Sequence, residues 1–315
     1  MADQTTDNKK RDYIYGPVPS RRLGRSLGVD VVPFKVCTYD CIYCQLGKTT
    51  NKTTRREVWI STDIIIEQLK NKLHTKPDYI TISGSGEPTL YSKIGEIICK
   101  IKEITDIPIA VLTNGSLLWL PEVRHSLRIA DLVLPSLDAG SDQLFRYVNK
   151  PHRDISFSRM LEGLVRFRDE YTGGFWLEVL LLSGVTTVEA QINMLAHCIK
   201  MICPDKVQIN TVTRPAVHDF AIAVPANQLR IIASQLAEKA EIIAANYSIN
   251  EPCGTSADLQ DVLALLRRRP CSVDDIALGL GLHRNAVLKC IEQLCSQQKA
   301  KSRHTAHGLF YKALV

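Results

Sequence analysis

Apolar runs of strand length alternate with amphipathic helical segments along most of the chain. Six times between residues 27 and 212, a run such as YITISG at 79–84 precedes a segment with apolar residues at helical spacing. Buried strands of parallel sheets are nearly continuous apolar runs, and amphipathic helices cover their faces. Because six βα units are fewer than the eight of a complete TIM barrel, we expect an α/β fold with a partial (β/α)6 parallel barrel.

Polar or glycine-containing segments follow five of the predicted strands. They are CTYDCIYCQLG at 37–47, SGSGEPTL at 83–90, TNGS at 113–116, PSLDAG at 135–140 and INTVTRP at 209–215. Ligands of parallel α/β folds bind at the carboxyl ends of the strands. The five segments therefore predict a single active-site mouth on one rim of the sheet.

The last part of the chain has a different pattern. Three short amphipathic helices are predicted at 259–269, 272–280 and 284–297, followed by a two-stranded ribbon that turns near His307 and Gly308. This order is typical of a winged helix-turn-helix. We therefore expect a disordered tail at 1–13, a large domain at 14–250, and a small winged-helix domain at 257–315 after a linker.

Composition and charge fit a globular protein without membrane contact. The 315 residues are 45% hydrophobic and 23% charged, and the first residues are polar, with no apolar run of membrane-spanning length. We expect a cytoplasmic location. Ten cysteines without a secretory signal then indicate metal ligands, redox groups or buried thiols rather than a disulfide framework.

Three of the cysteines lie close together, with spacings of three and two residues: Cys37, Cys41 and Cys44. A four-iron cluster takes one thiolate per iron, so three cysteines leave one iron open to another ligand. Zinc with a distant fourth ligand, or unreactive thiols, would be the alternatives. No cysteine or histidine follows at a suitable second spacing, since His74 is isolated and Cys99 lies in an apolar helical stretch.

CTYDCIYC, with Tyr43 directly before the third cysteine, resembles the signature of the radical S-adenosylmethionine (SAM) enzymes. In that family the open iron is chelated by the amino and carboxylate groups of SAM, which is cleaved to a 5′-deoxyadenosyl radical that abstracts hydrogen from a substrate. The resemblance implies an enzyme with a [4Fe–4S] cluster on the three cysteines and SAM as cofactor. It also implies an external electron donor such as ferredoxin or flavodoxin.

Segments after later strands resemble the elements with which this family contacts SAM. GSGEPTL is similar to the family's GGEP element, which receives the methionyl amino group, with Ser85 in place of the first glycine. The later segments resemble the third-, fourth- and fifth-strand contacts and the position near the adenine. The cofactor-binding residues implied by the resemblance are Tyr43, Ser85, Gly86, Glu87, Asn114, Ser136, Asp138, Glu178 and Asn210.

The segments GPVPSRRLGRSLGVD at 16–30 and YCQLGKTT at 43–50 are most similar to a subgroup related to the wyosine (tRNA tricyclic base) synthases. Those synthases hold a second cluster on three cysteines that precede the radical SAM motif. This chain has no cysteine before Cys37. The resemblance to radical SAM enzymes as a whole spans about residues 14 to 220.

Basic residues outside these motifs are candidates for anion binding or are solvated surface charges. Arg214, just beyond the last predicted strand, is the best candidate for a substrate anion. The others are Arg21, Arg22, Arg25, Lys150, His152 and Arg153. Residues 257–315 carry nine Lys and Arg against five Asp and Glu, which fits a phosphate-binding surface that begins at His283, Arg284 and Asn285.

Cysteines outside the triple motif are expected to be ordinary buried thiols. Cys198 and Cys203 are five residues apart on one predicted helix and so point to different faces, which disfavours an auxiliary cluster shared with Cys253. Cys290 and Cys295 have the same offset.

Three functions compete at this point. The first is RNA modification, in particular of tRNA, with the C-terminal domain binding the nucleic acid. The second is radical chemistry on a protein, peptide or small metabolite, with that domain as a docking module. The third is a DNA-binding regulator whose Fe–S domain senses the redox state or SAM.

Overall fold

The computed structural model describes residues 12–238, 240–243, 258–305 and 308–314. Most of the predicted tail at 1–13, the linker up to residue 257, Cys253 and the turn residue His307 lie outside them. Tyr13, assigned to the tail, is buried, and its amide donates a hydrogen bond to Gln68 Oε1 (2.8 Å). Tyr13 therefore packs with the residues assigned to the large domain.

Ten strands precede the C-terminal part in the described residues. They are β1 (Ile14–Ser20), β2 (Gly24–Val29), β3 (Val36–Cys37), β4 (Asn51–Lys52), β5 (Tyr79–Ile82), β6 (Ile109–Thr113), β7 (Leu132–Pro135), β8 (Gly174–Leu181), β9 (Lys206–Thr211) and β10 (Ala240–Ile242). The short strands β3 and β4 pair with each other. The other eight form one open sheet in the order β1-β2-β5-β6-β7-β8-β9-β10.

The sheet confirms the predicted parallel α/β architecture. All six predicted strands are present as β2 and β5–β9, and every neighbouring pair from β2 to β10 is parallel. Two further strands were not predicted: β1, which runs antiparallel to β2 at the edge, and the three-residue β10. β1 reads IYGPVPS, and its two prolines and glycine favour a turn; an edge strand tolerates them because it pairs on one side only.

Seven helices cover this sheet. They are α1 (Thr62–Lys70), α2 (Ile94–Ile104), α3 (Pro121–Leu127), α4 (Asp142–Val148), α5 (Phe157–Glu170), α6 (Glu189–Ile202) and α7 (Ala226–Leu236) among the described residues. In α5 the N-cap Ser156 accepts the amide of Arg159, and Met160, Leu164 and Phe167 are buried at helical spacing. These helices share one buried core with β5, β6 and β8. The faces of the sheet are thereby covered, and the carboxyl ends of the strands are left to form a site.

The C-terminal part has its own core. Its elements are α8 (Leu259–Arg268), α9 (Val273–Leu280), α10 (Arg284–Ser296), and the antiparallel strands β11 (Ala300–Thr305) and β12 (Gly308–Ala313). Val262, Leu266, Ile276, Val287 and Leu294 are buried together. A capping box between Ser272 and Asp275 begins α9, and Gly281, at φ 63°, ends it.

Helices α8 and α9 of the C-terminal part pack against β1, the edge strand of the sheet. Val18 of β1 contacts the core of the C-terminal part. Among the described residues, three ion pairs also join the parts: Arg214 with Asp275 (2.9 Å), Arg268 with Asp30 (3.2 Å) and Arg303 with Asp219 (3.2 Å). Among the described residues, no helix combines the length and the apolarity that crossing a membrane requires.

Candidate active site

The three cysteines lie on a loop that begins at the end of β3 and is held at several points. The amide of Lys35 donates to the Ser85 carbonyl (2.7 Å), and the amide of Ile42 donates to the carbonyl of Val148 at the end of α4 (2.9 Å). Within the loop, the Cys44 amide donates to the Cys41 carbonyl (3.1 Å). The sulfur positions are therefore set by neighbouring elements of the sheet rim.

Each cysteine sulfur has a nitrogen donor beside it. The contacts are Asn114 Nδ2 to Cys37 Sγ (3.7 Å), Asn149 Nδ2 to Cys41 Sγ (3.6 Å) and Lys35 Nζ to Cys44 Sγ (3.1 Å). Donors to sulfur stabilise the thiolate and are a main influence on the reduction potential of iron–sulfur clusters. Each of the three sulfurs therefore has one donor that stabilises a thiolate.

The thiols themselves do not ionise readily without a cation. Burial, with the charge of Glu87 adding to it, raises the pKa of Cys37 to about 12, and burial and Asp138 raise the pKa of Cys41 well above its usual value. Across the described residues, no three His, Cys, Asp or Glu side chains converge to hold one metal ion.

The turn after β5 packs directly on the strand that carries Cys37. A Cβ atom on Gly86 would lie 1.8 Å from the carbonyl oxygen of Val36, a contact that no side chain tolerates. The amide of Glu87 donates to the same oxygen (3.1 Å). Gly86 is therefore required for the close approach of the two backbones.

The carboxylate of Glu87 faces the interior. It accepts hydrogen bonds from the amide and hydroxyl of Thr89, the hydroxyl of Thr113 and the amide of Asn114. Burial raises the pKa of Glu87, and these hydrogen bonds oppose the shift. Glu87 thus joins the turn after β5 to the end of β6, and the main chain at Gly86 faces the site instead.

Asp138 and Asn114 stand behind the cysteine loop. Asp138 accepts hydrogen bonds from Tyr43 Oη, Asn149 Nδ2 (2.8 Å) and the Leu180 amide (3.0 Å), and burial raises its pKa to about 6. Asn114 donates to Thr38 Oγ1 (2.7 Å) as well as to Cys37. These side chains position the loop.

A cavity of about 450 Å³ opens beside the third cysteine. Of the nine predicted cofactor residues, five line it together with Cys44: Tyr43, Ser85, Gly86, Glu178 and Asn210. The remaining four lie outside its lining: Glu87, Asn114, Ser136 and Asp138. The predicted residues therefore divide into a lining set and a supporting set.

Glu178 is the carboxylate that lines the cavity. It accepts hydrogen bonds from Arg22 Nη1 (2.8 Å) and Asn210 Nδ2 (2.9 Å). Burial alone would raise its pKa, but the charge of Arg22 and the hydrogen bonds outweigh burial, and the pKa of Glu178 is lowered. Glu178 is thus an ionised acceptor at neutral pH.

Several contacts of the site were not predicted. Lys35 is 3% exposed beside Cys44, and Asn149 bridges Cys41 and Asp138. Asp30 accepts hydrogen bonds from the amide (3.2 Å) and hydroxyl (2.6 Å) of Ser85. Two features of the sequence could have indicated these contacts. Lys35 lies two residues before Cys37, and Asn149 directly precedes the basic segment that contains Lys150.

The other candidate residues lie in several different places. Arg21, Arg22 and Arg214 line the cavity, whereas Arg25 is exposed. Lys150, His152 and Arg153 line a separate depression together with Lys52 and Arg146. Cys198 is buried, with its sulfur 3.9 Å from the Gly140 carbonyl, and Cys203 is exposed at the end of α6. Cys290 is buried and Cys295 partly buried.

Comparison with known proteins decides the family. Residues 31–192, which hold the three cysteines and the strand-end segments through β8, match the model of the radical SAM superfamily. The chain belongs to the radical SAM superfamily. It is therefore a radical SAM enzyme, a class whose cofactors are a [4Fe–4S] cluster and SAM. The donor set around the cysteine loop fits this cluster.

Relatives of this radical SAM enzyme include proteins from several organisms. It is 36% identical over 267 residues to a UPF0026 protein of Methanocaldococcus jannaschii, covering 81% of this chain and 82% of that protein. It is 38% identical over 312 residues to a protein named GTPase Obg in Brachyspira hyodysenteriae. That match covers 95% of this chain but 45% of the other protein, so the chain spans less than half of that relative's length.

Solved structures of radical SAM enzymes share the fold. A radical SAM methyltransferase from Sphaerobacter thermophilus superposes with a TM-score of 0.53 at 17% identity, covering 71% of this chain and 67% of the other. At this identity the likeness concerns the fold alone.

Proposed function

We propose that the protein cleaves SAM reductively and uses the resulting radical to abstract a hydrogen atom from a substrate. A bound cluster would supply SAM with one electron from an external donor such as ferredoxin or flavodoxin, the chemistry that splits SAM into methionine and a 5′-deoxyadenosyl radical. The observation that carries the proposal is the cavity beside Cys44, lined by Tyr43, Gly86, Glu178 and Asn210 from separate segments of the chain.

The residues of this chain have distinct roles in the proposal. Cys37, Cys41 and Cys44 hold three irons and leave the fourth to SAM. The main chain at Gly86 receives the methionyl amino group, and the ionised Glu178 accepts hydrogen bonds from SAM hydroxyl groups. Leu265, Arg268 and Arg269 of the C-terminal part also line the cavity, and side chains at this position limit the access of water to a carbon radical.

The experiment is anaerobic reconstitution, reduction with a strong reductant, and quantification of 5′-deoxyadenosine formed from SAM. Cys41→Ala abolishes both cluster and product, whereas Cys99→Ala, which removes an exposed thiol on α2, retains both. A cluster-bearing protein that binds SAM without cleaving it contradicts the proposal and favours the sensor.

We further propose that the substrate is RNA and that residues 258–314 are a winged-helix domain that binds it. Support comes from exposed basic side chains at the N-cap and in the middle of α10 and along β11. They are His283, Lys289, Lys301, His304 and Arg303, the last of which is paired with Asp219. Such a row suits phosphates of a nucleic acid backbone. The similarity to wyosine synthases points to tRNA.

Salt-dependent retention on immobilised tRNA tests this substrate class. The double variant Lys289→Gln/Lys301→Gln removes two exposed charges and reduces the slope of log K against log salt by about 1.4. The control Lys70→Gln/Lys76→Gln removes two exposed charges at and just after the end of α1, outside the C-terminal part, and leaves the slope unchanged. Wild-type retention that is absent or independent of salt contradicts RNA and favours a protein, peptide or metabolite substrate.

A further inference from the structure

The cavity has a second wall that is made of arginines. Five of them line it: Arg21, Arg22, Arg214, Arg268 and Arg269. All five lie outside residues 31–192, the segment that matches the superfamily model. The wall that carries Tyr43, Cys44, Gly86 and Glu178 belongs to the shared core, whereas the arginine wall is a feature of this chain's flanking segments.

Among the described residues that line the cavity, five are arginines and one, Glu178, is a carboxylate. Three of the arginines form ion pairs: Arg22 with Glu178, Arg214 with Asp275 and Arg268 with Asp30. Arg269 lines the cavity and is in none of these three pairs. In a partly enclosed site the effective dielectric constant is lower than in water, so a lining rich in guanidinium groups attracts an anion strongly.

The wall is held in position before any ligand binds. The guanidinium of Arg268 lies 3.8 Å from the centre of the Tyr15 ring and donates to the Asp12 carbonyl (2.9 Å). Arg21 donates to Thr213 Oγ1 (3.3 Å), next to Arg214. Preorganised guanidinium groups bind carboxylates and phosphates with paired, charge-assisted hydrogen bonds.

We propose that the arginine wall binds an oxyanion of the substrate, either a carboxylate or a phosphate. The proposal rests on the proposed radical SAM function, because it assigns the arginines to the substrate and the lining formed by Tyr43, Gly86 and Glu178 to SAM. The C-terminal part is then a component of the active site, since Arg268 and Arg269 come from the end of α8.

Arg269 is the residue to replace, because it lines the cavity and belongs to none of the ion pairs that join the two parts. In Arg269→Gln, the affinity of the cluster-loaded protein for an oxyanion falls about tenfold or more, as expected for loss of charge-assisted hydrogen bonds. Arg267→Gln, the matched control, replaces an exposed arginine on the same helix and leaves affinity within about twofold. Calorimetric titration at constant ionic strength, with chloride as the replaced anion, measures both.

Three probes distinguish the sources of the oxyanion. Inorganic phosphate stands for a phosphate monoester, acetate for a carboxylate, and dimethyl phosphate for the RNA backbone. Binding of one probe in preference to chloride, weakened in Arg269→Gln only, supports the proposal and identifies the source. The proposal is overturned if the wild type prefers none of them, or if Arg269→Gln binds all of them as the wild type does.

SAM carries a carboxylate of its own, so its dissociation constant is measured in parallel. The proposal expects SAM affinity within about twofold of wild type in Arg269→Gln. Weaker SAM binding with unchanged probe binding assigns the arginine to the cofactor and overturns the proposal. Because probe binding needs no turnover, failure to form 5′-deoxyadenosine counts against the proposed function alone.

Discussion

Arg268 Nη1 lies 3.2 Å from Oδ2 of Asp30, and this carboxylate also accepts the hydroxyl hydrogen of Ser85 at 2.6 Å. Arg268 ends α8 in the C-terminal part, Asp30 follows β2, and Ser85 belongs to the turn after β5, which lines the cavity. Asp30 is fully buried. The three residues therefore connect the C-terminal part to the turn after β5.

Asp30→Asn breaks this connection. The amide group cannot pair with Arg268 while accepting both hydrogen bonds from Ser85, so we expect a loss of about 3 kcal/mol in the free energy of unfolding and weaker SAM binding. Urea unfolding and equilibrium dialysis measure the two effects. Asp63→Asn, which replaces an exposed carboxylate paired with Lys100, costs at most about 1 kcal/mol. Equal stability of the two variants would contradict the account.

Gly86→Ala tests the contact between the turn after β5 and the cysteine loop. The added methyl group meets the Val36 carbonyl, and relief requires a shift of the strand that carries Cys37. We expect iron incorporation on reconstitution to fall to a background level. Gly95→Ala in α2, whose methyl group would lie 3.2 Å from Ser126 Cβ, changes stability by about 1 kcal/mol or less and retains the iron. Normal iron content in Gly86→Ala would refute the assigned role.

Lys35→Met removes the cation beside Cys44 and keeps the length of the side chain. Loss of one positive charge at this distance makes the cluster harder to reduce, by on the order of 100 mV at an effective dielectric constant of about 20. Redox titration followed by electron paramagnetic resonance measures the shift. Lys48→Met removes an exposed charge from the same loop and serves as the control. A potential that is the same in both variants would exclude a tuning role for Lys35.

The ion pair between Arg214 and Asp275 predicts a dependence of stability on pH. Burial would raise the pKa of Asp275, but the charge of Arg214 and the hydrogen bond from Ser272 lower it. A lowered carboxyl pKa stabilises the fold above the usual value of about 4, and this contribution is lost as the pH falls through the lowered pKa.

Wild type and Asp275→Asn, both without cluster, are therefore compared by urea unfolding. The wild type is expected to be more stable by about 3 kcal/mol at pH 7, and this difference should shrink below about pH 4. Asp274→Asn, at an exposed position one residue away, changes little at any pH. A stability difference between wild type and Asp275→Asn that grows on acidification would show that the pKa of Asp275 is raised rather than lowered.

The sequence was sufficient to predict the parallel sheet and the superfamily, because these depend on local spacing and on the order of segments. It did not show which motif side chains face the cavity. The carboxylates of Glu87 and Asp138 instead accept hydrogen bonds from the amides of Asn114 and Leu180, which lie 27 and 42 residues further along the chain. Arg268 and Asp30 are 238 residues apart. Such pairings arise from tertiary packing and leave no local pattern.

Mössbauer spectroscopy of protein reconstituted with iron-57 tests the central claim most directly, since it resolves the irons of one cluster. The account predicts a [4Fe–4S] cluster in which one iron in four changes its signal when SAM is added, and which does not form in Cys41→Ala. A cluster whose four irons are all unaffected by SAM, or bound zinc in place of iron, would contradict it.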